Sequence, residues 1–532
     1  MIHPSRDSGV LLHPTALPGL PGCGTLGAVA RDWIALLGRE GVGLWQVLPL
    51  APTDGTGSPY SSPSGSALNP WLIDPDDLVT AGLIRAADRD GLPGGGSERL
   101  DPALATQRAE AVAAALGRRW SEQPRERREA FERWSRSQAH WLADHALFMV
   151  LRRLQQGRPW WEWPGPLARR QARALRALRQ EHASALRDEC LLQWQLQVQW
   201  QTLRRQANDQ GVRLLGDLPF YVAHDSADVW CHRPLFSLAL DGSLVSQSGV
   251  PPDYFSATGQ LWGTPVYRWS RHWLSGFRWW LARLERQLEL FDLLRLDHFR
   301  ALEAYWCVPG ADVTAEHGRW RPSPGGVLLS LLQRRCRRDG TLLDDGRLPL
   351  IAEDLGVITP PVEALRDRFG LPGMKVLQFA FDGASDNPYL PANYRGSRWV
   401  VYTGTHDNAT SRGWWEQLDH DSRMRLQALV GGPITAPSWQ LLEQALASSA
   451  ELAVVPLQDL LELGDEARFN TPGTVGGNWS WRLQRPISDL AGPLQGFGAM
   501  AARYGRGASA SGSGASAAAG EPAVGLGGAA GG

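Results

Sequence analysis

Lysine is almost missing from this chain: Lys375 is the only one among 54 basic residues, and all the others are arginine. The skew reads first as codon bias. Net charge has no direction either, at −1, so no electrostatic footprint for nucleic acid or an anionic membrane is present. Cysteine is scarce. Cys23, Cys190, Cys231, Cys307 and Cys336 are scattered, odd in number and without CxxC spacing. A disulfide framework or a zinc site is therefore not expected, and a reducing cytoplasm is. The opening "MIHPSRDSGV" lacks a basic stretch followed by an apolar one, so it does not read as a secretory signal. No run of about 18 apolar residues occurs, which excludes a membrane-spanning helix from the expected elements.

What is present begins with bulk. The chain has 532 residues, 43% of them hydrophobic, enough for a large core and too many for one minimal domain. Tryptophan is abundant, at 25 residues. Trp buries much area and offers a flat apolar face with a polar N–H. Core packing accounts for most such residues; stacking platforms for sugar rings are the sharper alternative. The pairs Trp160–Trp161, Trp279–Trp280 and Trp414–Trp415 suit either use.

Short Val/Leu-rich runs recur, and several end in a polar cluster: "GVLLHPTALPG", "LWQVLPLAPTD", "VRLLGDLPFYV", "DLLRLDHFR", "PLIAEDLG", "KVLQFAFDG", "WVVYTGTHDN" and "ELAVVPLQDLL". Such runs suit parallel strands buried on both faces. Helix-like stretches such as "PPVEALRDRFG" lie between them. Eight strand–helix repeats predict an α/β fold, a (β/α)8 TIM barrel. A doubly wound open sheet competes, but no GxGxxG loop follows the early strands. Residues 1–504 read as a single catalytic barrel. A large helical insertion at about 70–209 and a smaller lid or loop insertion at about 223–290 would sit on the C-terminal rim. The Gly/Ala/Ser-rich stretch 505–532 reads as a flexible tail.

Chemistry in such a barrel sits on the loops that follow the strands. Asp217, Asp297, Glu353 and Asp407 all stand where a strand gives way to a loop. Asp297 and Glu353 follow consecutive strands, which lie about 4.8 Å apart. Retaining glycosidases need two carboxyls about 5 to 5.5 Å apart, one as nucleophile and one as acid and then base. Arg295 shares a strand face with Asp297 and would keep it ionised. A drier pocket would keep Glu353 protonated. Asp407, with His406, would grip ring hydroxyls as positive charge develops. Taken singly, each acid could instead be a helix cap or a surface ion pair. These residues alone suit a retaining α-glucan hydrolase of the amylase type, and a catalytically silent glucan-binding module is a further alternative.

Nine ordered segments add a resemblance. "GVLLHPTALPG", "WQVLPLAPTDGTGSPYSSPSGSALNPWLI", "GDLPFYVAHDSADVW", "GVPPDYFSATGQLWGTPVY", "RLDHFRALEAYW", "IAEDLGVITP", "GLPGMKVLQFAF", "VVYTGTHDN" and "NTPGTVGGNWSWR" resemble the 4-α-glucanotransferases of glycoside hydrolase family 77, the amylomaltase or disproportionating-enzyme type. The resemblance implies that Asp297 is the nucleophile, Glu353 the acid/base and Asp407 the transition-state stabiliser. It implies that Arg295 and His406 contact sugar, that Tyr60 and Asp217 lie around the donor sugar, and that Asp253 and Trp262 belong to a lid over the acceptor side. It implies no metal and no cofactor. Expected partners are maltodextrins and starch- or glycogen-derived α-1,4-glucans, with glucose as an acceptor, and neither nucleic acid nor membrane. Ala257, Thr264, Ala392 and Ala409 depart from the family pattern without removing a catalytic carboxylate.

Overall fold

A computed structural model describes residues 6–96, 98–252, 256–474 and 476–507. Twelve strands occur among them: β1 Asp7–Leu11, β2 Leu44–Gln46, β3 Arg213–Leu218, β4 Ser246–Val250, β5 Gln260–Pro265, β6 Leu293–Leu296, β7 Ala304–Pro309, β8 Arg319–Pro322, β9 Leu350–Ala352, β10 Gly373–Val376, β11 Trp399–Tyr402 and β12 Leu452–Pro456. Eight form one parallel sheet in the order β10-β11-β12-β1-β2-β3-β6-β9. Its two ends meet where the Ala352 N–H donates to the Pro372 carbonyl at 2.8 Å. The eight apolar runs are therefore the staves of a (β/α)8 barrel.

Alternation along the strands sorts side chains into two cores. Leu11, Leu44, Leu215, Leu293, Ile351, Met374, Val376, Val400, Tyr402, Leu452 and Val454 fill the barrel interior. Their chain neighbours, such as Val10, Trp45, Leu214, Leu294, Val401 and Val455, pack outward against the helices. With a period of two, a residue two places beyond an inward one points inward again. This parity aims Asp217, Arg295 and Glu353 at the barrel axis, following Leu215, Leu293 and Ile351.

Gly216 sits between two of these inward positions, where the strand runs close to an aromatic ring. A Cβ there would lie 2.2 to 2.4 Å from ring atoms of Phe291. Phe291 is itself buried, so it has little room to yield. Gly216→Ala is expected to lower stability by about 1 to 3 kcal/mol, the usual range for overpacking; thermal unfolding measures it, and an unchanged Tm would contradict the close packing.

Helices Pro102–Arg119, Arg125–Ser137, Leu142–Leu154, Ala172–Glu181 and Ala183–Asp209 fill about half of the long stretch between β2 and β3. The last of these carries buried glutamines that grip backbone. Gln193 pairs with both the N–H and the C=O of Leu68, and Gln199 does the same for Asp74, all at 2.9 Å. The long helix thereby fixes the chain that follows the Tyr60 loop.

A second sheet, antiparallel, runs in the order β5-β4-β7-β8. Only two of its strands come from the 223–290 stretch. The others lie in 304–322, and the sequence reading contains no antiparallel sheet there. The reason is physical: β8 is "RWRP" with all four residues exposed, which carries no apolar periodicity. Twelve of the 25 tryptophans are buried, six of them fully, namely Trp33, Trp45, Trp160, Trp200, Trp230 and Trp280, so core packing takes about half of these rings. All five cysteines are free thiols. No helix among the described residues is long and apolar enough to cross a membrane. The tail expectation falls mainly on residues 508–532, which lie outside the described residues.

Candidate active site

The strand register brings the first two acids side by side. In the β6–β9 pair, Leu296 lies opposite Ala352. The next residues outward on the rim are Asp297 and Glu353. Backbone contacts knit the two loops, with the Glu353 N–H donating to the Leu296 carbonyl and the Phe299 N–H to the Glu353 carbonyl, each at 3.0 Å.

Arg295 organises the charge below them. Its Nη1 contacts both oxygens of Asp217 at 2.8 Å and Asp297 Oδ1 at 3.0 Å. The Tyr60 hydroxyl donates to Asp217 Oδ2 at 2.7 Å. Burial opposes the Arg295 charge, but Asp217 and Asp297 outweigh it and hold the guanidinium pKa well above its ordinary value. Burial also pushes the Tyr60 phenol well up, with Asp217 adding to the effect.

One cation among several closely spaced carboxyls cannot keep all of them ionised. Burial pushes Asp297 up to about 8; Arg295 opposes the rise, while Asp217, Glu353 and Asp407 reinforce it. Leu218, Phe220, Trp280, Leu296 and Phe299 line the apolar space behind Asp297. Burial likewise raises Glu353, opposed by Arg295 and by two backbone N–H groups. Both carboxyls are thus disfavoured as anions, and ionising one raises the cost of ionising the other.

Those two N–H groups are specific. The His298 N–H donates to Glu353 Oε2 at 2.7 Å, and the Leu355 N–H to Oε1 at 2.9 Å. His298 holds a left-handed backbone, with φ 51°, a conformation that is uncommon outside glycine. That turn aims its N–H at Glu353. The ring is half-buried and its pKa is pushed down to about 3, chiefly by desolvation, so it is neutral. His298 was not among the sequence-predicted site residues. Its place beside Asp297 was visible, but its backbone conformation was not.

Asp407 and His406 lie on a loop that the sequence "TGTHDNATS" wires to itself. The Thr405 N–H and hydroxyl both donate to Asn408 Oδ1, at 2.9 and 2.8 Å. Beneath it, buried Asp459 accepts from the Thr403 and Ser411 hydroxyls at 2.7 and 2.6 Å. His406 stacks on Tyr60 with centroids 5.2 Å apart and an interplanar angle of 14°. Its Nε2 lies 3.3 Å from Asp407 Oδ2. Burial lowers the His406 pKa, partly offset by Asp407. The Asp407 carboxylate is held by a residue not singled out from sequence: the Asn470 amide donates to Oδ1 at 2.6 Å. Arg468 donates to the Asp407 carbonyl at 2.6 Å, and Trp479 closes the group 5.8 Å from Tyr60 and 5.9 Å from His406. The segment "NTPGTVGGNWSWR" was a visible signal, but nothing in it named these contacts.

Tyr60, Asp217, Arg295, Asp297, Glu353, His406 and Asp407 are thus brought to one rim. Trp262 stands on the far side of Glu353's neighbour: its ring meets His298 edge-on with centroids 4.9 Å apart, and it remains 38% exposed. Asp253 lies outside the described residues. Among the described residues, no group of three or more His, Cys, Asp or Glu is placed to hold a metal ion. Two adjacent carboxyls, one touching a guanidinium and the other touching only N–H dipoles, can supply a nucleophile and an acid together.

Comparison with known proteins agrees with this chemistry. The sequence profile described as 4-alpha-glucanotransferase matches residues 12–488. A 4-alpha-glucanotransferase from Thermus thermophilus is 47% identical over 487 residues, covering 90% of this chain and 95% of that protein. One from Synechocystis is 43% identical over 484 residues, covering 90% and 94%. Among solved structures, amylomaltase from Streptococcus agalactiae in complex with acarbose superposes with a TM-score of 0.88 at 34% identity, covering 94% of this chain and all of the other.

Proposed function

The chain belongs to the 4-alpha-glucanotransferase family, and from that premise we propose that it transfers α-1,4-glucan segments to the 4-hydroxyl of an acceptor glucose or glucan by a retaining double displacement. Asp297 attacks the anomeric carbon of the donor sugar, and a covalent glycosyl–Asp297 intermediate forms. Glu353 gives its proton to the departing 4-oxygen. It then takes the proton from the acceptor hydroxyl as that oxygen displaces Asp297. The single observation that carries this reading is the register pairing of Asp297 and Glu353, with Arg295 touching only the former of the two. Charge on Asp297 gains a direct ion pair, whereas charge on Glu353 gains only backbone dipoles. The arrangement that reacts therefore carries the charge on Asp297 and the proton on Glu353.

Asp407 and His406 hold ring hydroxyls of the donor sugar, and Tyr60 and Asp217 support them from below. Asp407 strengthens its grip as oxocarbenium character develops. Trp262, beside His298, and Asp253 belong to the acceptor side. Donors are maltodextrins and starch- or glycogen-derived glucans. The free thiols support a reducing compartment such as the cytoplasm.

Transfer differs from hydrolysis only in what reaches the intermediate. Positioning can give an acceptor hydroxyl an effective concentration far above that of water. Incubation with maltotriose is therefore expected to yield glucose together with a ladder of longer maltodextrins, read by chromatography. A mixture of only glucose and maltose would refute transfer and identify a hydrolase.

A further inference from the structure

Neighbouring strands of the barrel meet at eight joints. Seven of them are ladders with at least three register pairs each. The eighth, between β9 and β10, differs. Among the described residues one backbone bond crosses it, from the Ala352 N–H to the Pro372 carbonyl. A regular parallel ladder would continue with the Met374 N–H donating to the Ala352 carbonyl. That N–H donates instead to Asp354 Oδ1, at 2.7 Å. The side chain of Asp354 thus takes the place of a ladder carbonyl at the seam of the barrel.

The surroundings are shaped for this carboxylate. Asp354 is buried, and its Oδ2 pairs at 2.5 Å with Arg366, itself buried on the helix Pro360–Arg368. The Arg366 guanidinium lies over Trp399, 4.6 Å from the ring centroid. Gly373 leaves the room: a Cβ there would stand 2.5 Å from Asp354 Oδ2 and 2.7 Å from the Trp399 ring. A charged acceptor also holds an N–H more strongly than an amide carbonyl does. The seam closes directly against the acid. On the β6 side the Glu353 N–H is tied to the Leu296 carbonyl at 3.0 Å. On the β10 side the nearest tie above Ala352 is the bond between Asp354 and Met374. The next residue, Leu355, donates its N–H to Glu353 Oε1 at 2.9 Å. Asp297 is placed differently: it follows β6, which has ladders on both sides, and it touches Arg295.

We propose that Asp354 is a positioning residue for the acid/base: its carboxylate closes the seam onto β10, and that closure holds the Leu355 N–H against the Glu353 carboxyl. The proposal rests on the assignment of Glu353 as the proton donor. It predicts a defect in proton delivery to the leaving group and none in attack by Asp297.

The test compares two saturating donors in the first turnover. Maltotriose has a sugar leaving group that needs a proton. α-Maltosyl fluoride has a leaving group that needs none. Asp354→Ala removes both bonds of the carboxylate. Its cleavage of maltotriose should fall on the order of 10- to 100-fold, the scale of a small misplacement of a reacting group. Its release of fluoride should stay within about twofold of the unaltered enzyme. Asp354→Asn keeps an oxygen for the Met374 N–H and only weakens the tie to Arg366. Its loss on maltotriose should be smaller, about 3- to 10-fold, with fluoride release again spared. The asparagine variant decides the matter if the alanine variant fails to fold. Equal loss on both donors marks a merely structural role and overturns the proposal, as does undiminished cleavage of maltotriose. Glu353→Gln is the reference. If it shows the donor split and the Asp354 variants do not, the positioning role of Asp354 alone is refuted. If Glu353→Gln loses both donors equally, the acid assignment falls and takes this proposal with it.

Discussion

Replacing Asp297 with Asn is expected to lower kcat for glucan transfer by on the order of 10^4 to 10^6, the range seen when a nucleophile is removed from an intact site. The amide keeps the shape of the side chain, so glucan should still bind. Equilibrium binding of maltodextrin by calorimetry should change little, which separates a dead enzyme from an unfolded one. Retention of more than about a tenth of the wild-type kcat would exclude the double displacement, since no uncharged group at this position can attack the anomeric carbon. The same substitution is expected to stabilise the fold. In the folded protein Asp297 has its pKa raised from 3.8 to about 8. The folded state therefore binds the proton more tightly than the unfolded chain, and stability falls as pH rises from about 4 to about 8. Linkage sets an upper bound of about 5 kcal/mol on the penalty at the top of that window. The side chain is 29% exposed and titrates jointly with Glu353, which brings the expected gain down to about 1 to 3 kcal/mol. Tm of Asp297→Asn should exceed that of the native enzyme at pH 8 and converge with it near pH 4. A gain of equal size at both pH values would mean that the ionisation of Asp297 is not its source.

Glu353→Gln is the second large effect. General acid catalysis supplies about 10^2- to 10^4-fold. The loss should fall on donors whose leaving group is a sugar hydroxyl. A donor with a good leaving group should still form the glycosyl–enzyme quickly and then stall, because the base needed for the second half is also gone. A burst of leaving group followed by slow turnover is the expected trace; a uniformly slow reaction without a burst would move the acid role elsewhere. Glu353 also raises the pKa of Asp297. Removing its charge should let Asp297 ionise at lower pH in the variant.

The barrel was legible because its signal is local. Eight apolar runs with polar ends need no knowledge of what lies across the fold. The candidate acids were visible for a similar reason: Asp297 and Glu353 each sit one residue past a strand end, and Asp407 sits in the polar cluster that follows another. What escaped depends on contacts far apart in sequence or on backbone shape. Asn470 meets Asp407 across 63 positions of chain. The role of His298 lies in its φ angle and its N–H, neither of which a side-chain pattern encodes. The antiparallel sheet was missed because β8 is wholly exposed and β7 is mostly half-buried, so neither shows a clean alternation.

The exposed strand β8 has a consequence for how the protein behaves in a crowded solution. As the last strand of its sheet it leaves one row of backbone donors and acceptors open to another chain. Arg319 and Arg321 place like charges along that border, and Pro322 removes a donor from it. Arg300 lies flat against the Trp320 ring, 3.7 Å from its centroid, and covers its greasy face. The border is thereby guarded against strand-by-strand stacking into fibres, a safeguard that matters for a sheet whose border faces water on every residue.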